Sequence, residues 1–183
     1  MHVLALSGSL RAASINSAFC RATAQLAPEG LDVELCAAIG TLPLFNPDIE
    51  PAPPSSVLSL RERITAADAL LVASPEYAHG VSGPMKNALD WLVSCEGFVG
   101  KPVALINTSP RAHHAYDALL ETLRTMSARI IDEASVSIPL LGYCTTTQAM
   151  VADAAVAAQV RRMLAAVRDH LRTGAERSAR FPM

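Results

Sequence analysis

The chain has 183 residues, 51% hydrophobic and 17% charged, a folding composition and not a disordered one, of a size that suits one domain with one core. The formal net charge of -2 supplies no global positive field to draw nucleic acid or an anionic membrane. No apolar run approaches the roughly 20 residues a bilayer-spanning helix needs.

His2 to Ser7 reads as a first strand, with no basic leader or cleavage site before it. A polar turn follows, and Ser14 then caps a helix through about Ala27, because a serine oxygen can accept from a free backbone N–H. Leu31 to Cys36 alternates as a second strand. Pro43, Pro47, Pro51, Pro53 and Pro54 then exclude a helix or central strand between Ala37 and Ser56, which leaves a long surface connection inside one fold. Val57 to Ala67 is helical, with Glu62 and Asp68 as surface charges.

Ala69 to Ala73 is a continuous aliphatic strand, hence buried on both faces. A loop runs from Ser74 to Gly83, and Pro84 opens a helix through about Val93. Lys101 to Ile106 forms a fourth strand, Ala112 to Ser127 a helix, Ile130 to Ile138 a fifth strand, and Ala149 to about Leu171 a last helix. Thr173 to Met183 reads as a flexible tail beyond a single domain of residues 1–172. Strand and helix alternate five times, which predicts an α/β sandwich around a parallel sheet. Cys20, Cys36, Cys95 and Cys144 are scattered without metal-ligand spacing and read as reduced thiols of a cytoplasmic protein.

In open parallel sheets, ligands bind beyond the carboxyl ends of the strands. The distinctive segments lie at three such ends. After strand one comes Gly8-Ser9-Leu10-Arg11-Ala12-Ala13-Ser14-Ile15-Asn16. A helix N-terminus, short hydroxyl and amide donors and an arginine fork together suit a phosphate monoester. The alternative is a well-capped helix start with a solvated arginine. Neither a Walker loop nor GxGxxG is present. After strand three, Ser74-Pro75-Glu76-Tyr77-Ala78-His79-Gly80 makes a rigid turn whose backbone groups and aromatic ring can meet a planar heterocycle, or else a plain turn with an exposed tyrosine. After strand four comes Asn107-Thr108-Ser109-Pro110-Arg111-Ala112-His113-His114. Arg111 there either meets a cofactor phosphate, including the extra phosphate of NADPH, or is solvated. His113 and His114 lack a third ligand, so no metal site is expected.

Gly8-Ser9-Leu10-Arg11 with Ser14 and Asn16 resembles the phosphate loop of the NAD(P)H-dependent FMN reductases, a family that includes quinone, chromate and azo-dye reductases. Pro75-Glu76-Tyr77 through Val81 and Gly83, followed by Lys86-Asn87-Ala88-Leu89-Asp90-Trp91, resembles its second signature. Thr41 to Asp48 is similar to its loop after strand two. The resemblance runs from the first strand to the last helix.

It implies a flavodoxin-like three-layer sandwich whose five-stranded parallel sheet has the order 2-1-3-4-5. It implies that Ser9, Arg11, Ser14 and Asn16 hold the FMN phosphate, that Pro75, Glu76 and Tyr77 hold the ring largely through backbone groups, and that Ile15, Ala78 and Ser109 also contact the cofactor. It implies NADPH or NADH as electron donor and a quinone, free flavin, azo compound or metal oxyanion as acceptor, reached by ping-pong hydride transfer without a catalytic side chain. The helix carrying Lys86 to Trp91 would lie near the interface of a homodimer or homotetramer, or Leu89 and Trp91 would simply fill the core. The family's glycine-rich turn after strand four is missing here, so bulkier side chains meet the ring pocket. A flavodoxin-type electron carrier, or a flavin-free regulatory or scaffold relative, remains the alternative.

Overall fold

A computed structural model describes residues 1–111, 113–140, 142 and 144–180. The main sheet holds β1 (His2–Ser7), β2 (Asp32–Cys36), β3 (Ala69–Ala73), β6 (Pro102–Ile106) and β7 (Arg129–Ile130), all parallel, in the order β2-β1-β3-β6-β7. In the order of the sheet's own five strands that is 2-1-3-4-5, as expected. β4 (Glu76–Tyr77) and β5 (Gly80–Val81) form a small antiparallel hairpin where the sequence suggests only a loop. The helices are α1 (Ile15–Leu26), α2 (Ser55–Ala66), α3 (Gly83–Leu92), α4 (His113–Thr125), α5 (Thr147–Ala152) and α6 (Ala154–Arg180). Ala112, expected to start α4, and residues 181–183 of the expected tail lie outside the described residues.

The central strands are aliphatic on both faces because both are covered. Every residue of β3 and β6 is buried. Val3, Ala5, Leu71 and Ala104 face a core shared with Phe19 of α1, Met150 of α5 and Leu164 of α6. Leu4, Leu6, Leu70 and Val72 face the opposite core, shared with Leu60 of α2, Trp91 of α3 and Leu123 of α4. Each such leucine contributes on the order of 1.5–3 kcal/mol by leaving water. Leu89 and Trp91 are thus core residues within this chain.

The proline-rich connection is pinned by that same helix α3. Asn87 accepts from the Phe45 N–H at 2.8 Å and donates to the Pro43 carbonyl at 2.9 Å. Trp91 Nε1 donates to the same carbonyl at 2.8 Å, and Phe45 meets its ring edge-on at 5.0 Å. Asp68 is more than a surface charge: its carboxylate accepts from the His2 N–H at 2.7 Å, where β1 begins.

Three boundaries differ from the sequence reading. The fifth strand is cut to Arg129–Ile130, because a short 3-10 turn at Asp132–Ala134 lifts the chain off the sheet. Pairing resumes only as a bridge between Asn107 and Ser137. The last helix is broken at Asp153, whose carboxylate accepts from the N–H groups of Ala155 and Val156 and so caps α6. Helix α6 then runs on to Arg180, beyond the Leu171 expected. No described helix is long and apolar enough to cross a membrane.

Candidate functional site

A cleft of about 800 Å³ opens at the carboxyl ends of β1, β3 and β6. These are the adjacent central strands of the sheet, so the three segments singled out in the sequence converge there.

The first wall is the turn from β1 into α1. Ser7, at the end of β1, accepts from the Ser9 N–H at 3.4 Å, and Ser9 accepts from the Arg11 N–H at 3.4 Å. Ser14 caps α1 as expected, accepting from the Ser17 N–H at 3.1 Å. The helix therefore begins against the cleft with its remaining N–H groups and partial positive charge. Ser9, Arg11, Ser14, Ile15 and Asn16 all line the cleft. The Arg11 side chain is exposed and has no protein partner among the described residues. Gly8 lets this turn approach its neighbour: its carbonyl accepts from the Ser82 hydroxyl at 2.7 Å. A Cβ there would stand 2.7 Å from that oxygen and closer still to the Ser74 hydroxyl.

The second wall is the segment from Ser74 to Tyr77. Pro75, Glu76 and Tyr77 line the cleft, and Tyr77 is 54% exposed. The Glu76 carboxylate accepts from the Ala115 N–H at 2.9 Å, which satisfies a free donor in the first turn of α4. Ala78 is not among the lining residues. It and His79 form the two-residue turn of the β4–β5 hairpin, with φ of 48° and 60°. Two left-handed non-glycine residues in succession are strained. The His79 ring stacks on His114 of α4 at 4.2 Å. Among the described residues, no group of three or more His, Cys, Asp or Glu is placed to hold a metal.

The third wall is residues 107–111, with Thr108, Ser109, Pro110 and Arg111 lining the cleft. Thr108 donates to Asn16 at 2.8 Å, and both side chains are buried. Ser74 and Thr108 fall within the segments expected at the strand ends, though the sequence reading assigns them no cofactor contact, and it misses a fourth wall of Leu140, Gly142 and Thr145 altogether. Leu140 is drawn in because its N–H bonds to the Thr108 carbonyl at 3.1 Å. The rule that ligands sit beyond strand ends, applied also to the fifth strand, points to that segment.

No thiol is poised here. Cys20 sits on the core-facing side of α1, where burial pushes its pKa up to about 12. Burial also raises the pKa of Cys144. The cleft's chemistry is instead that of binding: hydroxyls, backbone amides and two arginines around a partly apolar floor, of a size that holds a nucleotide-sized ligand.

A parallel sheet of this order, with its cleft at those strand ends, places the protein in the flavodoxin-like class of α/β folds. An archaeal flavodoxin shares the fold at a TM-score of 0.61 with 15% identity, over 94% of this chain and 99% of the flavodoxin. A family model described as NADPH-dependent FMN reductase matches residues 1–141, and the chain belongs to that family. It is 44% identical over 110 residues to an NAD(P)H-dependent FMN reductase of Pseudomonas aeruginosa, covering 58% of this chain and 59% of that protein. It is 38% identical over 113 residues to a quinone reductase of Escherichia coli, covering 60% of each. The matched stretch thus spans about six-tenths of these curated relatives. Among solved structures, the flavoenzyme NAD(P)H:(acceptor) oxidoreductase FerB of Paracoccus denitrificans superposes with a TM-score of 0.72 and 29% identity, over 92% of this chain and 98% of FerB.

Proposed function

We propose that this protein binds FMN in the cleft and uses it to pass electrons from NAD(P)H to a small acceptor such as a quinone. The observation that carries the reading is the cleft itself. A helix N-terminus and Arg11, which has no partner among the described residues, lie at one wall, and a rigid Pro75-Glu76-Tyr77 segment lies at the next. That donor set suits a phosphate at one end and a planar ring at the other.

In this reading Arg11, the Ser9 hydroxyl and the first N–H groups of α1 neutralise the flavin phosphate. Ser14 and Asn16 keep that loop in shape, the first by capping α1 and the second through Thr108. Pro75, Glu76 and Tyr77 flank the ring, chiefly through backbone groups, because the Glu76 carboxylate is committed to α4. Ser109 closes the far side. Bound FMN would supply the redox chemistry, taking a hydride from NAD(P)H and releasing electrons to the acceptor. The protein side chains bind and orient; none needs to serve as nucleophile or general base. The family and the relatives named for FMN and quinone reduction support the same assignment.

The test is titration with FMN, followed by quenching of flavin fluorescence, in the parent and in Arg11→Ala. Loss of one charge-assisted contact weakens binding by roughly ten- to a hundredfold. NAD(P)H-dependent turnover with a small quinone then separates a reductase from an electron carrier. A parent protein that takes up no FMN overturns the reading.

A further inference from the structure

Two walls of the cleft follow one plan. After β1, Ser7 accepts from the Ser9 N–H and Ser9 from the Arg11 N–H, both at 3.4 Å. After β6, Asn107 accepts from the Ser109 N–H at 3.0 Å and Ser109 from the Arg111 N–H at 3.3 Å. Each relay ends on an arginine that lines the cleft. β1 and β6 both pair with β3, so the relays stand on either side of the Pro75 to Tyr77 segment.

The two guanidinium groups share one cleft, and neither is paired with an acid among the described residues. Among the described residues, neither side chain makes a hydrogen bond or ion pair. Glu76 is the one acidic residue among those lining the cleft, and its carboxylate accepts from the Ala115 N–H. That carboxylate sits at the first turn of α4, which has no acidic residue of its own, and is therefore engaged with the helix N-terminus and not with either arginine. Two unpaired cations on separate walls suit two separate anionic groups.

FMN carries one phosphate. On the proposed FMN reading, Arg11 and the N-terminus of α1 account for it. Arg111 is then left for an anion brought by the second ligand. NADH and NADPH share a diphosphate, and NADPH alone adds a dianionic phosphate monoester on its ribose. A guanidinium fork matches the oxygens of that group. We infer that Arg111 is a specificity-determining residue that binds the ribose 2′-phosphate of NADPH and makes the enzyme favour NADPH over NADH.

The experiment compares the FMN-loaded parent with Arg111→Ala and Arg111→Lys. FMN affinity is read by fluorescence, KM and kcat with each donor by steady-state kinetics, and inhibition by 2′,5′-ADP and by 5′-AMP. The expected result for Arg111→Ala is an NADPH KM raised about tenfold or more. Its NADH KM, its kcat and its FMN affinity stay within about twofold of the parent, and 2′,5′-ADP loses its advantage over 5′-AMP. Arg111→Lys keeps part of the preference. Equal changes for both donors, no change for either, or a parent that uses NADH as well as NADPH would overturn the inference. So would a fall in FMN affinity as large as that of Arg11→Ala, which would place Arg111 on the flavin phosphate. A parent that takes up no FMN removes the FMN reading and this inference together; uptake of FMN with unaltered donor preference in Arg111→Ala removes this inference alone.

Discussion

The Thr108 hydroxyl donates to Asn16 Oδ1 at 2.8 Å with both side chains buried, 92 positions apart in sequence. β1 and β6 are not neighbours, since β3 lies between them. The bond therefore spans the end of β3 and sets the distance between the two arginine-tipped walls.

Thr108→Val keeps the side chain's shape and removes the donor. Asn16 Oδ1 is then buried without its partner, at a cost of about 1–3 kcal/mol. Urea unfolding should show a lower midpoint with an unchanged slope, and FMN affinity should fall with it. An unchanged midpoint would mean that the two walls are held apart by other contacts.

Asn87→Ala frees both the Phe45 N–H and one bond to the Pro43 carbonyl. Trp91→Phe keeps most of the buried ring and removes the other bond to that carbonyl. Each variant should lose about 1–2 kcal/mol. Limited proteolysis should cut faster between Thr41 and Asp48 in both. A cleavage rate equal to the parent's would show that the prolines alone fix the connection.

The hairpin turn predicts a gain. Ala78 and His79 sit at φ of 48° and 60°, a conformation that Asn-Gly adopts far more readily. Replacing the pair by Asn-Gly should stabilise the protein by about 1 kcal/mol, read as a higher Tm. A lower Tm would show that the stacking of His79 on His114 outweighs the backbone strain.

Cys20 sets an alkaline limit. Its folded pKa, raised by burial from 9.0 to about 12, lies above its unfolded value. The protonated thiol is thus favoured in the folded state. Its contribution to stability is complete below pH 9 and is lost as pH climbs through about 12. All four cysteines are buried. A thiol reagent at pH 8 should label native protein slowly and denatured protein at four sites. Rapid native labelling of Cys20 would contradict its burial on the core-facing side of α1.

Much of the fold was legible in local pattern. The aliphatic runs of β1, β3 and β6 announce strands covered on both faces, because only a doubly packed strand can hide apolar residues at every position. Ser14 before an amphipathic stretch announces a cap, and residues 8–16, 74–80 and 107–114 announce a cleft at strand ends. These signals need only neighbours in sequence. The tertiary structure alone decided the pairings across long separations. It gave Asn16 to Thr108, Glu76 to the first turn of α4, and the Pro43 carbonyl to Asn87 and Trp91. It also replaced most of the expected fifth strand by a 3-10 turn and brought Leu140 to the cleft. Hydrophobic period reports which face of an element is buried. It does not report which polar group from a distant segment will meet a buried donor or acceptor, and that matching can be settled only once the chain is packed.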